Sequence, residues 1–571
     1  MKILVFVKQI PEISRIEFDP KTKRIVRDKV PLIINPFDKR AVEEGIRIKE
    51  KIGGEVVVAT MGPPSAADVL NNSLRMGADR AILISDPAYA GSDTWITSRI
   101  LSLVTKKISP DLVLLGKYSL DGETSQVPPE VAILSGYSYK TSVSRIEVLS
   151  DNDVNVEQET EDGLEVYRMK FPLLVSVSEK INRARFVKPE IPDMSSRIER
   201  WSAADVGGNI TGSMSPTVVE STEIVESKRR VSFLKSIDEI NKMIMDKLQS
   251  GKENTDFVLQ DPPDADHDKF ALVVSAGDAR VTYEIAGKLS SLGVENNHAV
   301  VVAGQQVPQN FAGLSCNEYI HIKTDSLTAY TDEIEKIIRN RKPEYVVFPS
   351  NVKGREMAAA VAAKFEIGLT ADCVDLKLEN NRLIQFKPAF GGGMVARITT
   401  KTKPEMATVR PGIFRLAKTD KKFKVSSIEP DSNYPDIPVS SQKVESQFKP
   451  LQGARIVVGI GKGLIKKDNV ALAMEFASRI GAAIGGTRPI IDLNWLPRQQ
   501  QIGLTGYSIA PELYIAIGIS GHDNHVVGTR YAKTIISINK DKSAPVFNYS
   551  DYGYISDSIE FLNSVNESVF M

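Results

Sequence analysis

Two stretches of this chain repeat each other in register. Pro110-Asp-Leu-Val-Leu-Leu returns as Pro343-Glu-Tyr-Val-Val-Phe, and Val131-Ala132 returns as Val361-Ala362. Lys170-Phe-Pro-Leu-Leu-Val-Ser-Val is echoed more loosely by Lys403-Pro-Glu-Met-Ala-Thr-Val. The spacing stays at about 230 residues, which means two related domains rather than chance likeness. The chain has 571 residues, and at roughly 100–200 residues per domain it needs about three cores. The repeat accounts for two of them and leaves a third.

The grammar inside each copy defines its class. Short aliphatic runs at 3–7, 56–59, 81–84 and 112–115 read as buried strands. Between them, 40–51 and 65–76 carry apolar residues at helical spacing (Ala41, Ile46, Ile48; Ala66, Val69, Leu70, Leu74). The same alternation restarts near Lys269, with strands at 270–275, 299–303 and 345–349 and helices at 283–292 and 331–339. Strands alternating with helices indicate an α/β fold with mostly parallel sheets.

Between the copies, Ser236 and Glu239 form a capping-box pattern ahead of Ile240, Ile244 and Leu248, which predicts an amphipathic helix. Residues 251–268, rich in Pro, Asp, Asn and Lys, read as a flexible linker, and 420–450 read as a second polar break. The expected units are 1–230, a helix and linker at 231–268, 269–419, a hinge at 420–450, and 451–571. The last opens with a strand at 454–460, the glycine turn Gly459-Ile-Gly-Lys-Gly463 and a helix carrying Val470, Ala473, Met474, Ala477 and Ile480. Further strands are expected at 513–519 and 534–538. That order places backbone N–H groups where a phosphate could sit, although GxGxG without the full GxGxxG pattern is equally compatible with a plain turn.

Composition narrows the chemistry. Lys+Arg and Asp+Glu number 72 each, so no chain-wide basic field for nucleic acid exists. Two cysteines, Cys316 and Cys373, exclude a disulfide framework, a Cys-ligated zinc site and an iron–sulfur cluster held by this chain alone. No apolar run reaches a signal h-region or a membrane span, so a cytoplasmic location is expected. No catalytic set is evident. His522-Asp-Asn-His525 lacks further Cys or His partners, and no metal site is expected.

A group of C-terminal motifs is more specific. Gly485-Gly-Thr-Arg-Pro489, Gln501-Ile-Gly-Leu-Thr-Gly506, Pro511-Glu-Leu-Tyr-Ile-Ala-Ile-Gly-Ile-Ser-Gly521, Asn539-Lys-Asp541 and Ser550-Asp-Tyr-Gly553 resemble, in this order, the FAD-binding domain of electron transfer flavoprotein α subunits. Gly368-Leu-Thr-Ala-Asp-Cys373, Pro388-Ala-Phe-Gly-Gly392 and Met406-Ala-Thr-Val-Arg-Pro411 resemble the N-terminal domain of that subunit. Val7-Lys-Gln-Ile-Pro11, Asn35-Pro-Phe-Asp38, Ala41-Val-Glu-Glu44, Met76-Gly-Ala-Asp-Arg80 and Leu114-Leu-Gly-Lys117 resemble the β subunit. The resemblance implies both subunits in one chain, β half first. The implied fold is two related nucleotide-binding-like (HUP-like) parallel-sheet domains plus a Rossmann-like FAD-binding domain.

It also implies a cofactor set: Lys462, Thr487, Arg488, Ile502, Gly503, Leu504, Thr505, Ser520, Gly521, Asn524, His525, Asn539, Asp551 and Tyr552. Arg488 would stand near the flavin N5 and stabilise negative charge on the reduced ring. His525 would face the N1–O2 edge as a donor, Thr505 and Ser520 would offer hydroxyls, and Asn539 and Asp551 would hold the adenosine end. Three positions depart from the family pattern: Lys462 stands for an arginine, and Leu504 and Asn524 each stand for a glutamine.

In the β-like half the resemblance implies a second nucleotide, AMP or a second FAD. The matching residues are Phe6, Asn35, Pro36, Phe37, Asp38, Met61, Asp121, Gly122, Glu123, Thr124, Ser125, Gln126 and Val127. Gly122 interrupts the acidic pair of AMP-binding members and Val127 replaces their threonine. Both changes resemble the electron-bifurcating branch and favour FAD, while Pro128-Pro129 departs from the usual Gly-Pro. The functional expectation is an electron carrier taking electrons from acyl-CoA-type dehydrogenases, as in fatty acid oxidation, to a membrane quinone oxidoreductase. Two other readings stay open: an NADH-dependent bifurcating oxidoreductase, and a nucleotide-binding module without redox activity.

Overall fold

The computed structural model describes residues 1–12, 30–161, 163–224, 229–253, 258–259, 269–294, 298–304, 313–414, 416–418, 422–430, 438–443, 448–451, 453–503 and 506–567. The first sheet grows outward from Lys2–Phe6, in which Ile3, Leu4 and Val5 are wholly buried. Burial on both faces demands helices above and below. One of them, Pro36–Ile52, starts on proline, buries Ala41, Val42, Ile46 and Ile48, and places Lys49 and Lys51 in its last turn. It ends at Gly53, whose φ of 79° favours glycine.

The parallel part of this sheet runs Ile198–Trp201, Arg80–Ile84, Glu55–Met61, Lys2–Phe6, Leu112–Gly116, Leu173–Val177, Ser138–Val148. The second copy repeats that order in Lys424–Ile428, Glu318–Ile322, His298–Ala303, Ala271–Val274, Tyr345–Pro349, Glu405–Val409, Leu369–Cys373. The repeat seen in sequence is therefore a repeat of topology, and the mixed α/β class with parallel sheets is as expected. The antiparallel extensions Asp153–Glu159 with Gly163–Lys170, and Asp375–Glu379 with Arg382–Ala389 and Met394–Thr400, were not expected.

Each half completes the other's extension. Thr217–Ile224 pairs antiparallel with Met394–Thr400, and Ser440–Lys443 pairs antiparallel with Gly163–Lys170. The contact between halves combines apolar packing, with Ala363 in one cluster with Val131 and Ala132, and buried polar bonds. Buried Glu356 accepts from Thr141 N at 2.9 Å and Gln158 Nε2 at 2.7 Å, while Gln126 Nε2 donates to Leu369 O at 2.9 Å.

The third sheet is parallel throughout, in the order Ser232–Phe233, Tyr552–Ile555, Thr534–Asn539, Leu513–Ile517, Ile456–Ile460, Ala483–Gly486. The helix Ile237–Glu253 forms, with Glu239 N donating to Ser236 Oγ at 3.3 Å and Lys235 N donating to Glu239 Oε2 at 2.8 Å. Its Ile240 and Ile244 are buried in the core of this third unit. Most of the expected linker 251–268 lies outside the described residues. The described parts of the expected hinge 420–450 include Lys424–Ile428 and Ser440–Lys443, strands at the edges of the two halves' sheets.

Candidate functional site

In the third unit the chain passes from the strand Ile456–Ile460 to a neighbour on one side, Ala483–Gly486, and later to Leu513–Ile517 on the other. Ligands of open α/β sheets bind where strand order reverses, outside the carboxyl ends of such strands. Here the glycine turn meets the turn after Leu513–Ile517 at backbone distance. A Cβ on Gly461 would lie 2.3 Å from Gly518 O, and one on Gly463 would lie 2.5 Å from Gly518 Cα. Gly461 N donates to Ile517 O and Gly463 N to Gly518 O, both at 3.0 Å. These two N–H groups hold the turns together and are not free for a phosphate, so of the two readings left open the plain turn fits Gly461 and Gly463. Lys462, between them, is exposed.

Ala483–Gly486 leads into Thr487, whose N–H donates to Ile460 O at 3.1 Å, and then into Arg488 on a single helical turn. The Arg488 side chain is 61 % exposed and, among the described residues, pairs with Asp492 at 3.4 Å. It lines a cleft of about 1500 Å³ together with Ile34, Phe37, Arg40, Arg183 and Arg498. Burial lowers the pKa of Arg40; the Glu179 carboxylate opposes this, and the charges of Arg488, Arg498 and Arg183 add to the lowering. Positive charge from the third unit and the first half thus converges on one opening.

His525 is placed differently from the expectation. It is buried, with Nδ1 3.1 Å from Ile502 O and Nε2 2.7 Å from the Tyr514 hydroxyl. Burial pushes its pKa down to about 4. Both ring nitrogens are engaged inside the protein, which also removes them as metal ligands. Asn539 Nδ2 donates to Ile519 O at 2.9 Å and its Oδ1 accepts from Asp541 N at 2.9 Å. Asp551 pairs with Arg229 and accepts from Ile535 N at 2.8 Å. In this structure, both residues expected at the adenosine end shape loops.

Tyr552 packs against the third core, Gly521 is buried against Val546, and Ser520 and Asn524 are exposed. Ile502 is buried, and Gly503 takes a φ of 131° with its would-be Cβ 2.4 Å from Asn524 O. Leu504 and Thr505 lie outside the described residues. The residues present fit FAD at the flavin end, where an exposed guanidinium stands at an open cleft and exposed polar groups sit at the strand ends.

The first half has its own switch point, between Lys2–Phe6 and Leu112–Gly116, and Asp38 closes it. Its Oδ2 accepts from Lys8 N at 2.8 Å and its Oδ1 from Gly116 N at 3.0 Å, while burial raises its pKa to about 7. Asn35 and Phe37 hold the next turn: Asn35 Nδ2 donates to Tyr118 O at 2.9 Å, and Phe37 packs on the Tyr118 ring at 4.8 Å. Phe6 and Met61 end neighbouring strands.

The loop 121–127 splits in two. Asp121 pairs with Lys8 at 2.6 Å, Gly122 O accepts from Lys387 Nζ at 2.6 Å, and Glu123 accepts from Gly391 N at 3.2 Å. With Gln126 bound to Leu369, the side chains of Glu123 and Gln126 turn toward the second half. Glu123 and Ser125 have φ of 50° and 57°, and the helix Val127–Ser135 begins with no side-chain cap and with Pro128 and Pro129, which have no N–H. Among the described contacts, the N–H groups of residues 124–127 bond to no backbone or side-chain acceptor. Such a run is a donor nest for an anion.

The corresponding crevice of the second half is shut. Asn351 Oδ1 accepts from Gly354 N at 2.8 Å, and its Nδ2 reaches across to Ala276 O at 3.1 Å. Sequence reading assigned no role to Asn351, which lies outside the quoted motifs, nor to Tyr514, which lies inside the Pro511–Gly521 motif. Only the asparagine at a helix start offered a signal.

An electron transfer flavoprotein domain model matches residues 22–206 and again 282–433, and an electron transfer flavoprotein FAD-binding domain model matches residues 450–530. The two matches of the first take in more than half of the chain, which belongs to the electron transfer flavoprotein family. It carries a β-like part at its N-terminal side and an α-type FAD-binding domain at its C-terminal side. Over 186 residues it is 42 % identical to the electron transfer flavoprotein subunit beta of Thermoanaerobacterium thermosaccharolyticum, covering 33 % of this chain and 71 % of the relative. Over 247 residues it is 35 % identical to the subunit alpha of the same organism, covering 42 % and 75 %. Over 211 residues it is 40 % identical to the caffeyl-CoA reductase-Etf complex subunit CarD of Acetobacterium woodii, covering 36 % and 80 %. Among the described residues, no helix is long and apolar enough to cross a membrane.

Proposed function

We propose that this chain is a cytoplasmic electron carrier with FAD in its third unit and a second nucleotide in its first half. Electrons would come from a flavin dehydrogenase, of the acyl-CoA type, and pass to a quinone oxidoreductase at the membrane. The observation that carries the reading is Arg488, exposed on the FAD-binding unit at the mouth of the cleft shared with the first half. FAD supplies the redox chemistry. The chain's residues bind it, set its charge environment through Arg488 and Lys462, and close a polar interface around it. In the first half, the N–H run of 124–127 would take a phosphate, beside turns held by Asn35 and Asp38. FAD is favoured there over AMP on the Gly122 and Val127 changes.

The test is the nucleotide content of the denatured protein, followed by anaerobic reduction with an acyl-CoA and its dehydrogenase. One FAD plus one further nucleotide per chain, with bleaching of the flavin, is the expected result. A protein that stays colourless after FAD addition and desalting would overturn it and leave a binding module.

A second reading is flavin-based bifurcation, in which NADH gives two electrons, one to a low-potential and one to a high-potential acceptor. The likeness to the caffeyl-CoA reductase-Etf subunit favours it. Two FAD per chain and flavin bleaching by NADH alone would support it; no bleaching by excess NADH would sink it.

A further inference from the structure

We infer that Tyr514 is a positioning residue that holds His525 in its Nδ1-protonated tautomer and, through it, fixes the turn at Ile502–Gly503. A carbonyl oxygen only accepts, so the 3.1 Å contact with Ile502 O puts the proton on His525 Nδ1. Nε2 then offers a lone pair, and the Tyr514 hydroxyl donates to it at 2.7 Å. Among the described residues, Tyr514 is the one titratable side chain that touches this ring. Its own position explains a glycine: a Cβ on Gly459 would stand 1.9 Å from the Tyr514 hydroxyl. The first glycine of the GxGxG turn therefore serves the tyrosine.

The turn downstream is seated from two sides. Ile502 N donates to Gly486 O at 3.0 Å, Gly503 N donates to Tyr507 O at 3.1 Å, and the would-be Cβ of Gly503 lies 3.2 Å from His525 Cα. A chain of contacts thus runs from the sheet through Tyr514 and His525 to the segment that continues into Leu504 and Thr505. While Tyr514 donates to Nε2, His525 has no second N–H to offer a flavin, and charge compensation on the reduced ring rests on Arg488 and Lys462. That last consequence rests on the FAD reading; the tautomer does not.

The test uses full-length protein with ¹⁵N-labelled histidine and long-range ¹H–¹⁵N correlation spectra, recorded without and with FAD. The expected His525 pattern is the Nδ1–H tautomer, neutral down to about pH 5. An Nε2–H tautomer, or a titration near the ordinary histidine value, would overturn the inference without bearing on FAD binding. In Tyr514→Phe, the imidazole should lose its single tautomer and amide exchange at Gly503 should speed up about tenfold, the loss of one net hydrogen bond. Unchanged His525 signals in that variant would count against Tyr514. The wild-type spectrum decides the tautomer whether or not the variant folds.

Discussion

Arg498 Nη2 of the FAD-binding unit donates to Glu179 Oε1 of the first half at 2.9 Å, and Lys117 Nζ lies 2.6 Å from the other carboxylate oxygen. Burial alone would raise the Glu179 pKa, but Lys117 and Arg498 outweigh it and hold the carboxylate ionised. On the other side, Arg530 Nη1 donates to Gly392 O of the second half at 2.7 Å. Between these ties lies a polar cavity of about 590 Å³ whose lining includes Asp372, Arg410 and Gly503. The FAD-binding unit is thus docked on both halves by directional, charged contacts around a polar gap rather than by a continuous apolar seam.

Arg498→Ala should therefore loosen this orientation. A charge-assisted hydrogen bond contributes about 1.5–3 kcal/mol, while Glu179 keeps Lys117 and stays paired. Distances measured between spin labels on the first half and the FAD-binding unit should broaden or shift. An unchanged distribution would show that Arg498 does not hold the unit in place.

Glu130 gives a pH-dependent prediction. Its side chain is buried, with the Ser98 hydroxyl donating to it at 2.7 Å, and burial raises its pKa to about 8. Between the ordinary glutamate value and about 8, the folded protein keeps a proton that the unfolded chain has lost. Its contribution to stability is thus full below the ordinary value and falls as pH rises, by about 1.4 kcal/mol per unit from this one group. Glu130→Gln should remove that slope. Denaturant unfolding should find the variant closest to wild type in acid and more stable at alkaline pH; parallel curves would contradict the assignment.

The fold was legible because its strands are buried on both faces. Runs such as Leu112–Gly116 and Tyr345–Pro349 leave no alternative to a covered parallel sheet, and they recur in register. The extensions were legible too, since Asp153–Glu159 buries every second residue, Val154, Val156 and Gln158. They were missed because only two of the inward positions of Asp153–Glu159 are apolar, Val154 and Val156, while the third is the polar Gln158. Arg488, singled out by its motif, has its guanidinium exposed at a cleft. The site was illegible where a motif residue bonds to distant backbone. His525 meets Ile502, Gln126 meets Leu369, and Asp551 meets Arg229, and only tertiary packing decides which partner such a side chain takes.

Arg488→Gln separates cofactor tuning from stability. Its guanidinium is largely exposed and has one long ion pair, so the apoprotein should unfold within about 0.5 kcal/mol of wild type. With FAD bound, loss of a positive charge beside the reduced ring should lower the midpoint potential by tens of millivolts. Spectroelectrochemical titration measures this, and an unchanged potential would move the flavin away from Arg488.

Asp38→Ala tests the first-half site independently of the FAD-binding unit. Asp38 bonds Lys8 N and Gly116 N at the same time, so it clips together the turns that end Lys2–Phe6 and Leu112–Gly116. Alanine would leave two backbone donors without their acceptor, at about 1–3 kcal/mol each, and let the turns part. Nucleotide affinity in the first half should fall at least about tenfold, because a 1.4 kcal/mol loss already gives that factor. Asp38 is not among the residues that line the cleft of Arg488, so FAD bound in the third unit would keep its own contacts. Nucleotides released from the purified variant should therefore show the third-unit FAD retained at wild-type level and the second nucleotide depleted. Equal retention of both would mean that the clip between Lys8 and Gly116 does not support nucleotide binding.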